Sequence, residues 1–447
     1  MARALTPQDA YAIINALVYQ ATGQQSITAT DTSSFVSAGE LILSTGTENV
    51  LNSLSLVLNR TLVASRPYKA RLDLMEEVNT GLYSSRVRKI SYYANDALPS
   101  GAFNTDLYTN FDQGYTNGQN TPGSPNSTKS MWEQNPKYPV EVNFAGSSTW
   151  QYCITHYEDQ LQTAFRSPED FNAFISGWLT ESANDIESER EAWNRMNLLN
   201  KIGSVYTNFI NGVMPGSVVN LTYEYNQRFN TSFTTTDLLS TYLKEFLAFY
   251  VAEIKKYSNL MEHRSTAFHV TPPKTVNGNS LALLRHTPKN RQRLYMYQPL
   301  FLESESLVLP EIFHPGFLDI NSQYQAVDYW QVFADIMNGG MSVSVTPSIM
   351  DVDTTSPTYG EQIAGDPVEL NVVALLTDVD GLMTNFQAEI ASTTPLESRK
   401  LYRNTWTTFL KNNLCDDTEN AILFIMADPA SPGGSKDDQK EEKTDGE

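Results

Sequence analysis

Two aspartates, Asp378 and Asp380, have the spacing that comes closest to a catalytic motif in this sequence. They follow an apolar run, VVALLT, and are followed by Gly381. When such a pair stands at the carboxyl end of a parallel strand, one carboxylate can attack a phosphoryl group and the other can transfer a proton, with Mg²⁺ bound beside them. The pattern therefore raises phosphoryl transfer as a function, with Asp378 as the nucleophile and Asp380 as the general acid and base.

The segment around these aspartates is similar to the motif of haloacid-dehalogenase-type phosphatases, but the rest of the chain departs from that family. Those enzymes place a long series of alternating strands and helices after the motif, including a lysine and a further acidic pair. Here Lys411 and Asp416-Asp417 follow too soon, in a region that predicts strands and then a tail. We therefore predict that Asp378 to Gly381 is a hairpin turn, which suits Asp and Gly, and that the chain is not an enzyme.

The other chemically reactive residues form no recognisable site. The five histidines include no H-x-x-x-H or H-E-x-x-H pair, and Cys153 with His156 is a lone C-x-x-H without a second half. The sequence contains no P-loop, no G-x-G-x-x-G and no G-x-S-x-G. We predict no catalytic residue, no metal and no cofactor.

Charge and cysteine content restrict the class of protein. With 31 basic and 51 acidic residues, the formal net charge is −20, which argues against a surface that grips nucleic acid or anionic lipid. Two cysteines, Cys153 and Cys415, are too few for a disulfide framework and fit a reducing compartment. We expect no targeting segment, and no window approaches the ~18 consecutive apolar residues of a membrane helix.

Opposite charges gather in two regions that could meet between copies of the chain. The basic candidates are Arg66, Lys69, Arg71, Arg86, Arg88 and Lys89, and the acidic candidates are Glu181, Asp185, Glu187 and Glu189. We predict inter-subunit contacts between these two sets, because complementary charge steers association. Two alternatives stay open: a weak nucleic-acid patch, and ordinary solvated charge, which contributes little.

The acidic set lies on a segment that predicts one unusually long helix. Ser167 can accept hydrogen bonds from the first free N–H groups, and Pro168 fits the first helical position. Apolar residues then recur at helical spacing up to the breakers Asn211-Gly212. From Pro168 to Asn208 the helix would be about 60 Å long, at ~1.5 Å per residue.

The residues before this helix predict an arm and a projecting hairpin. The arm comprises a helix ending at Gly23, an extended piece from Gln24 to Ser34, and a second helix capped by Thr47. The apolar faces of the two helices are formed by Tyr11, Ile14, Leu17 and Val18, and by Val50, Leu51, Leu54 and Leu58. These two helices are too small to form a hydrophobic core by themselves, so we expect them to pack against another element. The segments RLDLMEEV, SSRVRKISYYA and VEVNF alternate as half-exposed strands do. Between them lies a polar run, residues 98–138, which predicts a long β-hairpin with a decorated tip.

The residues after the long helix predict a mixed body. A helix begins at Thr236-Asp237 and runs to Met261. Four closing strands are predicted in VELNVVALLT, GLMTNFQAEI, SRKLYRNTWTTFLK and NAILFIMA, with the first two joined as a hairpin. From Asp428 the chain is an acidic tail that we expect to be disordered.

Taken in order, these elements resemble the major capsid protein of tailed bacteriophages, of the Hong Kong 97-type fold and the podophage or phi-twenty-nine-like group. The likeness to the arm of those proteins rests on FVSAGELILSTGTENVLNSLSLVLNRTLVASRPY. The likeness to their spine helix rests on THYEDQLQTAFRSPEDFNAFISGWLTESANDIESEREAWNRMNLLNKI. The likeness to their closing strands rests on ALLTDVDGLMTNFQAEIASTTPLESRKLYRNTWTTFLKNNLCDDTENAILFIMA. The predicted fold class is α+β.

That resemblance implies a division of the chain. The implied parts are an N-terminal arm (1–65), an extended loop (66–166), the spine helix of the peripheral domain (167–212), a mainly axial domain (213–368), the peripheral-domain and closing strands (369–427) and a tail (428–447).

The resemblance also implies a role. Hexamers and pentamers of the chain would form an icosahedral or prolate shell around double-stranded DNA, without sequence-specific DNA contacts and without a membrane. The implied partners are a separate scaffolding protein and a portal protein at one vertex. The protein would belong to the virion, after assembly in the host bacterial cytoplasm. No residue matches the lysine–asparagine cross-link of some relatives, so we predict none.

Overall fold

The computed structural model describes residues 7–22, 27–44, 69–72, 74–78, 87–95, 136–144, 148–157, 165, 167–276, 279–307, 324–331, 340–400 and 402–428. Within these ranges, long helices and mainly antiparallel sheets both contribute to the fold. The predicted α+β class is therefore confirmed.

The helices are α1 (Pro7–Thr22), α2 (Thr32–Ser44), α3 (Pro168–Ile210), α4 (Leu221–Phe229), α5 (Thr235–Ser240), α6 (Leu243–Leu260) and α7 (Gln298–Leu307). The first eight strands are β1 (Glu76–Glu77), β2 (Val87–Tyr92), β3 (Pro139–Phe144), β4 (Ser148–Tyr157), β5 (Val218–Asn220), β6 (Thr275–Val276), β7 (Asn279–Ser280) and β8 (Gln292–Tyr297). The next eight are β9 (Tyr324–Val327), β10 (Ser342–Val345), β11 (Ser348–Met350), β12 (Gln362–Ala364), β13 (Val368–Asp378), β14 (Leu382–Thr393), β15 (Tyr402–Cys415) and β16 (Ala421–Ile425). In the described part of the chain, no helix has the length and apolar character needed to cross a membrane.

The long helix predicted from the sequence is confirmed as α3, which has 43 residues. It begins where the Phe171 N–H donates to the Ser167 carbonyl oxygen (3.0 Å) and ends where the Asn211 N–H donates to the Thr207 carbonyl oxygen (3.0 Å). Gly212 follows at φ +74°, a left-handed conformation that glycine adopts without strain.

The arm differs from its prediction at the second helix. The first helix, α1, is confirmed, but the stretch from Gln24 to Ser34, predicted as extended, already contains the start of α2 at Thr32. Asp31 caps α2, because its Oδ1 accepts the Ser34 N–H at 2.7 Å while the Ser34 hydroxyl oxygen accepts the Asp31 N–H at 3.0 Å. The sequence did not single out this cap, because several neighbouring Thr and Ser residues could also begin a helix. The predicted cap Thr47 and the apolar face after it lie outside the described residues.

The helices α1 and α2 share a small core with the beginning of α3. Its buried members are Ala10, Ile14, Leu17, Val18, Ala29, Phe35, Ala38, Ile42, Phe165 and Phe171. The Phe171 ring lies 5.5 Å from the Phe35 ring and 5.3 Å from the Phe165 ring. The arm thus buries its helices against each other and against the first turn of α3.

Two larger sheets and a hairpin contain most of the strands. One sheet has four strands in the order β1-β14-β15-β4, and the other has six, in the order β5-β16-β13-β8-β9 with β10 paired to β13. The predicted hairpin is confirmed at its base, where β2 and β3 are antiparallel with Val87 opposite Phe144 and Tyr92 opposite Pro139. Smaller pairs are formed by β6 with β7 and by β11 with β12. The main core contains buried residues of the six-stranded sheet, of α3 and of α6.

The four closing strands occur as predicted, as β13 to β16, but the predicted hairpin between the first two is wrong. Strand β13 belongs to the six-stranded sheet and β14 to the four-stranded sheet, so the chain crosses between sheets. Residues Val379–Gly381 form a turn of 3₁₀-helix capped by Asp378, whose Oδ1 accepts the Asp380 N–H at 3.0 Å. A Cβ on Gly381 would lie 2.8 Å from Thr377 Oγ1, so this tight crossing favours glycine. Asp and Gly suit this crossing as well as a hairpin, which is why composition alone misled.

The helix predicted to begin at Thr236 is two helices, α5 and α6. Thr234 begins α5 with a capping box, in which its hydroxyl oxygen accepts the Asp237 N–H (3.2 Å) and the Asp237 carboxylate accepts the Thr234 N–H (2.9 Å). The break falls before α6 at Tyr242, whose ring stacks on the Phe233 ring with 4.1 Å between centroids. Apolar residues continue at helical spacing across this break, so periodicity does not reveal it.

Gly203 is a close-packing position inside α3. A Cβ there would lie 2.8 Å from the Pro347 Cβ and 2.8 Å from the Val345 Cγ1. Val345, the last residue of β10, and Pro347, the residue before β11, therefore pack directly on the helix backbone. Glycine in a helix interior costs about 1 kcal/mol relative to alanine, and this close contact offsets that cost.

Candidate functional site at the base of the hairpin

An acidic turn, Asp416–Asn420, joins β15 to β16 and is almost completely buried. The exposed fraction is 1% for Asp416, 4% for Asp417 and 6% for Glu419. Buried carboxylates cost free energy unless cations or hydrogen-bond donors surround them. Thr418 supplies two donors, since its N–H and its hydroxyl both donate to Asp416 Oδ1, at 2.8 and 2.7 Å. The remaining partners come from α3, from the hairpin strand β2 and from Arg285.

The first partner is Lys201 of α3. Its side chain is fully buried, and its Nζ donates to the Asp416 carbonyl oxygen at 2.7 Å and to Asp417 Oδ1 at 3.1 Å. The other carboxylate oxygen of Asp417 accepts the Ser204 hydroxyl at 2.5 Å and the Asn208 side-chain amide at 3.4 Å. One face of α3 is thus built to hold this turn.

The second partner is Lys89 of the hairpin strand β2. Its Nζ lies 2.5 Å from Asp416 Oδ2 and 2.5 Å from Glu419 Oε1. Arg285 completes the cluster, with its guanidinium 3.2 Å from Glu419 and donating to the Ser91 hydroxyl oxygen at 2.7 Å. The hairpin is therefore ion-paired to the same turn that α3 holds from the other side.

The pKa shifts follow from burial and pairing. Burial alone would lower the pKa of Lys201, but attraction to Asp417, and then to Cys415 and Asp416, outweighs it and raises that pKa. Burial would raise the pKa of Asp416, but Lys89 and the Thr418 donors bring it below its ordinary value. For Glu419, burial outweighs the attraction of Lys89 and Arg285, so its pKa is raised.

The inner face of the hairpin also packs on the body. Tyr93, just after β2, is buried with Val140 of β3 and Leu283 of the body in a small separate core. The Tyr93 hydroxyl donates to the Pro272 carbonyl oxygen at 2.7 Å, and the Ala94 N–H donates to the Ala282 carbonyl oxygen at 2.8 Å. Burial raises the pKa of Tyr93 to about 12.

The outer face of the hairpin is open to solvent. Ile90 is 50% exposed and Tyr92 is 59% exposed, and both are large apolar side chains. Beside them, the Arg88 guanidinium lies 2.5 Å from the Glu141 carboxylate across the strand pair. This face can contact another molecule without disturbing the ion pairs of the inner face.

The segment before the hairpin lies against the acidic middle of α3. The Ala70 N–H donates to Glu187 Oε2 at 3.1 Å, and the Arg71 N–H donates to Glu191 Oε2 at 3.3 Å. The Asn194 side-chain amide donates to the Leu72 carbonyl oxygen at 2.9 Å. Two of the predicted regions, the base of the loop and the acidic helix, therefore meet within a single chain, through hydrogen bonds between the loop backbone and helix side chains.

The ten residues predicted to mediate contacts between copies are distributed unevenly. Lys89 and Glu187 are largely buried, whereas Lys69, Arg71, Arg88 and Asp185 are exposed and Glu189 is half-buried. Ion pairs inside the chain join Arg71 to Asp328, Arg88 to Glu141, Lys89 to the acidic turn, Glu187 to Arg190 and Glu189 to Lys411. Arg66, Arg86 and the Glu181 side chain lie outside the described residues. The contacts between copies stay a prediction.

Sequence reasoning missed Lys201, Arg285 and Glu419 as members of the cluster. Lys201 carried a signal, because it stands on the apolar face of α3 between Leu198 and Val205, where a charge requires a buried partner. A second sequence signal lies in the acidic turn. The acidic segment DDTEN directly precedes the apolar strand AILFI, which is buried throughout, so the turn that leads into it is close to the core.

The aspartates of the phosphatase-like motif hold a turn rather than a parallel-strand site. Strand β13 is antiparallel to both β8 and β16, unlike the parallel strand that such catalysis requires. Both carboxylates pair with Arg291, which lies 3.3 Å from Asp378 and also contacts Asp380. They line an open cavity of about 420 Å³ together with Arg264, Arg285, His286 and Glu419. Among the described residues, no group of three or more His, Cys, Asp or Glu could hold a metal ion.

Comparisons with known proteins give matches in structure only. No family model matches this chain, and no curated protein matches it. The chain is similar to the capsid structure of Staphylococcus phage Andhra, at 10% identity and a TM-score of 0.46, over 80% of this chain and 84% of that one. It is similar to the structure of the head fiber and inner core protein gp22 of native bacteriophage P68, at 11% identity and a TM-score of 0.47, over 80% and 85% of the two chains. It is also similar to the capsid of Myoviridae phage XM1, at 8% identity and a TM-score of 0.37, over 81% and 94%. Two of these three are structures of phage capsids, and the other is a structure of a head fiber and an inner core protein.

Proposed function

We propose that this chain is the major capsid protein of a tailed bacteriophage with the Hong Kong 97-type fold. It forms hexamers and pentamers that close into an icosahedral or prolate shell around double-stranded DNA. It is a structural protein of the virion and not an enzyme, and it encloses DNA without reading its sequence. Assembly takes place in the host bacterial cytoplasm with a separate scaffolding protein and a portal protein at one vertex.

The observation that carries this proposal is the way α3 connects separate cores. The small core of the arm lies at its beginning and the main core at its second half. With 43 residues, α3 spans about 65 Å at ~1.5 Å per residue. A small core so far from the main core is typical of a subunit that is completed by its neighbours in a shell. The arm gains stability when neighbouring copies cover it.

The hairpin supports the same role. Its inner face is tied to the body by Lys89, while its outer face leaves Ile90 and Tyr92 open. A ribbon that is anchored at its base and carries exposed apolar side chains beside an ion pair on its outer side is suited to lie over a neighbouring copy. The exposed predicted residues Lys69, Arg71, Arg88 and Asp185 would lie at the edge of such a contact, where charge sets specificity more than affinity.

Electron microscopy of the purified protein, alone and with a scaffolding protein, tests the proposal. We expect closed shells or curved shell fragments, because many copies of a modest contact close by symmetry. A monomer or a small ring that persists under all conditions would refute the proposal.

A deletion tests the predicted role of the loop. Removal of residues 99–136, which cover most of the polar run, should leave a soluble subunit and impair assembly. The base strands β2 and β3 keep their ion pairs and small core in this variant, so the subunit should still fold. Circular dichroism checks folding and electron microscopy checks assembly, and normal shells from the variant would show that the loop is dispensable.

A further inference from the structure

The four-stranded sheet has two faces of very different chemistry. Its inner face lies on α3, where Lys411 pairs with Glu189 and the Tyr152 hydroxyl donates to the Asp185 carbonyl oxygen at 3.4 Å. Its outer face, at β4 and β15, includes Gln151, Cys153, Thr155, Tyr157, Trp406 and Thr408. We call this second surface the uncharged face, because no residue that β4 or β15 contributes to it carries a formal charge.

Contacts along the uncharged face are polar but neutral. The Thr155 hydroxyl donates to Asn404 Oδ1 at 2.8 Å, and the Gln151 amide donates to the Thr408 hydroxyl oxygen at 3.3 Å. Tyr157, which is 49% exposed, has its ring 6.3 Å from that of Tyr402. Depletion of charge with retention of aromatic side chains is the composition of the centre of a protein interface.

The strand β4 also ends the sheet, which leaves an edge. In the described part of the chain it pairs with β15 alone. Its ten residues, STWQYCITHY, include no Lys, Arg, Asp, Glu, Pro or Gly. Natural proteins block a long sheet edge with such charges, with proline or with a covering element. Because β4 has none of the first two, a covering element is required.

We propose that the uncharged face and the free edge of β4 dock a second copy of this chain. The inference rests on the proposed shell-building function and identifies one of the surfaces through which copies meet. The charge of the chain favours a second copy as the occupant. Each copy carries a net charge of −20, so two copies repel wherever their carboxylates face each other. The uncharged face lets them meet without that repulsion.

The native Cys153 reports on this contact directly. It is exposed in the single chain, whereas the other cysteine, Cys415, lies at the end of β15 beside the buried acidic turn. Maleimide labelling of full-length protein, with the labelled peptide identified by mass spectrometry, measures Cys153 accessibility in the monomer and in shells. We expect labelling at least about tenfold slower in shells, since interface cores pack as densely as protein interiors.

Each outcome of the labelling decides the inference. Slow labelling in shells with fast labelling in the monomer supports it. Equal, fast labelling in both overturns it and leaves the capsid proposal intact, because shells have formed. Slow labelling already in the monomer also overturns it, because the chain itself then covers the face. If no shells form under any condition, both proposals fall.

A charge placed on the face gives an independent readout. Thr155→Glu should reduce the yield of shells at least about tenfold, because a buried unpaired carboxylate is costly at an interface. The matched control is Ala252→Glu, at an exposed position in the middle of α6, which should assemble as the unmodified chain does. Unchanged circular dichroism in both variants excludes misfolding, and normal assembly of Thr155→Glu would overturn the inference.

Discussion

The acidic turn is held by two lysines that belong to very different surroundings. Lys201 comes from a 43-residue helix, has no exposed side-chain surface, and shares its partner Asp417 with Ser204 and Asn208. Lys89 comes from a two-stranded hairpin and keeps 19% of its side-chain surface exposed. The lysine–carboxylate ion pair therefore has two roles in this protein. The Lys201 pair is part of the main core, and the Lys89 pair attaches the hairpin to the acidic turn.

Apolar packing is also more extensive around Lys201 than around Lys89. The residues near Lys201 belong to the main core, whereas the hairpin adds only a small separate cluster around Tyr93. An isolated two-stranded hairpin is marginal in water, so Lys89 supplies much of what holds the hairpin base in place. We expect the hairpin to open with a smaller free-energy cost than the body, as a local unit.

The largest effect is expected from Lys201→Met. This change leaves the Asp417 carboxylate buried with only neutral donors, and loss of one partner of a buried pair costs about 3–5 kcal/mol. Denaturant unfolding of the soluble subunit measures the loss. A second variant, Lys201→Met with Asp417→Asn, should recover part of it, and a loss below about 1 kcal/mol in the single variant would contradict the assigned role.

A smaller effect is expected from Lys89→Met. Arg285 still faces Glu419 and water can reach the site, so the expected loss is about 2 kcal/mol, within the range for a buried group left unsatisfied. Hydrogen exchange should speed up in β2 and β3 and stay unchanged in β13, because only the hairpin is released. The control Arg88→Met removes an exposed pair on the outer face and should change stability by less than about 1 kcal/mol. Equal acceleration in β13 would show that the hairpin is not a separate unit.

The pH dependence of the acidic turn should contain two opposite contributions. The pKa of Asp416 is held below its ordinary value of 3.8, so its stabilising contribution is present above that pH and is lost as the pH falls through the folded value. The pKa of Glu419 is raised above its ordinary value of 4.5, so its contribution is present below that pH and is lost as the pH rises through the folded value.

Glu419→Gln separates these two contributions. As the pH rises above 4.5, ionisation of Glu419 lowers the free energy of unfolding of the unmodified chain, and the glutamine of the variant cannot ionise. The change of unfolding free energy with pH should therefore be more positive in the variant than in the unmodified chain. Denaturant unfolding at a series of pH values measures both slopes. Identical slopes would mean that burial does not raise the pKa of Glu419.

The smallest effect is expected from Asp378→Asn. Asparagine can still cap the 3₁₀ turn, and Arg291 is 43% exposed at its side chain, so the expected loss of stability is at most about 1 kcal/mol. We expect no magnesium-dependent phosphatase activity in either protein. Hydrolysis of p-nitrophenyl phosphate by the unmodified chain, lost in the variant, would refute the assignment as a non-enzymatic protein.

Local patterns predicted most of the secondary structure correctly. The long helix, the first helix of the arm, the base strands of the hairpin and the four closing strands all follow from capping residues and apolar spacing, which act over a few neighbouring residues. The failures occurred where one local signal fits two structures. The Asp378–Gly381 segment suits a hairpin turn and a crossover equally well, and only the sheet that receives β14 decides between them.

The candidate site was predicted less well, for a physical reason. Lys89 was recognised as basic and the acidic helix as its complement, but its carboxylate partners, Asp416 and Glu419, lie more than three hundred residues further along the chain. Charge type is a property of the residue, whereas the choice of partner depends on which elements pack together.

The sequence by itself determined the long helix, the first helix of the arm, the base strands of the hairpin and the four closing strands. It also determined that the chain has no surplus of positive charge suited to binding nucleic acid, and that an arm and a hairpin precede the long helix. Only the tertiary structure decided that the chain crosses between two sheets after Asp378, that Lys201 and Lys89 share one buried turn, and that β4 presents an uncharged face. Helix and strand formation depends on neighbours within a few residues. Burial, pairing and the exposed edge depend on contacts between residues far apart in the chain.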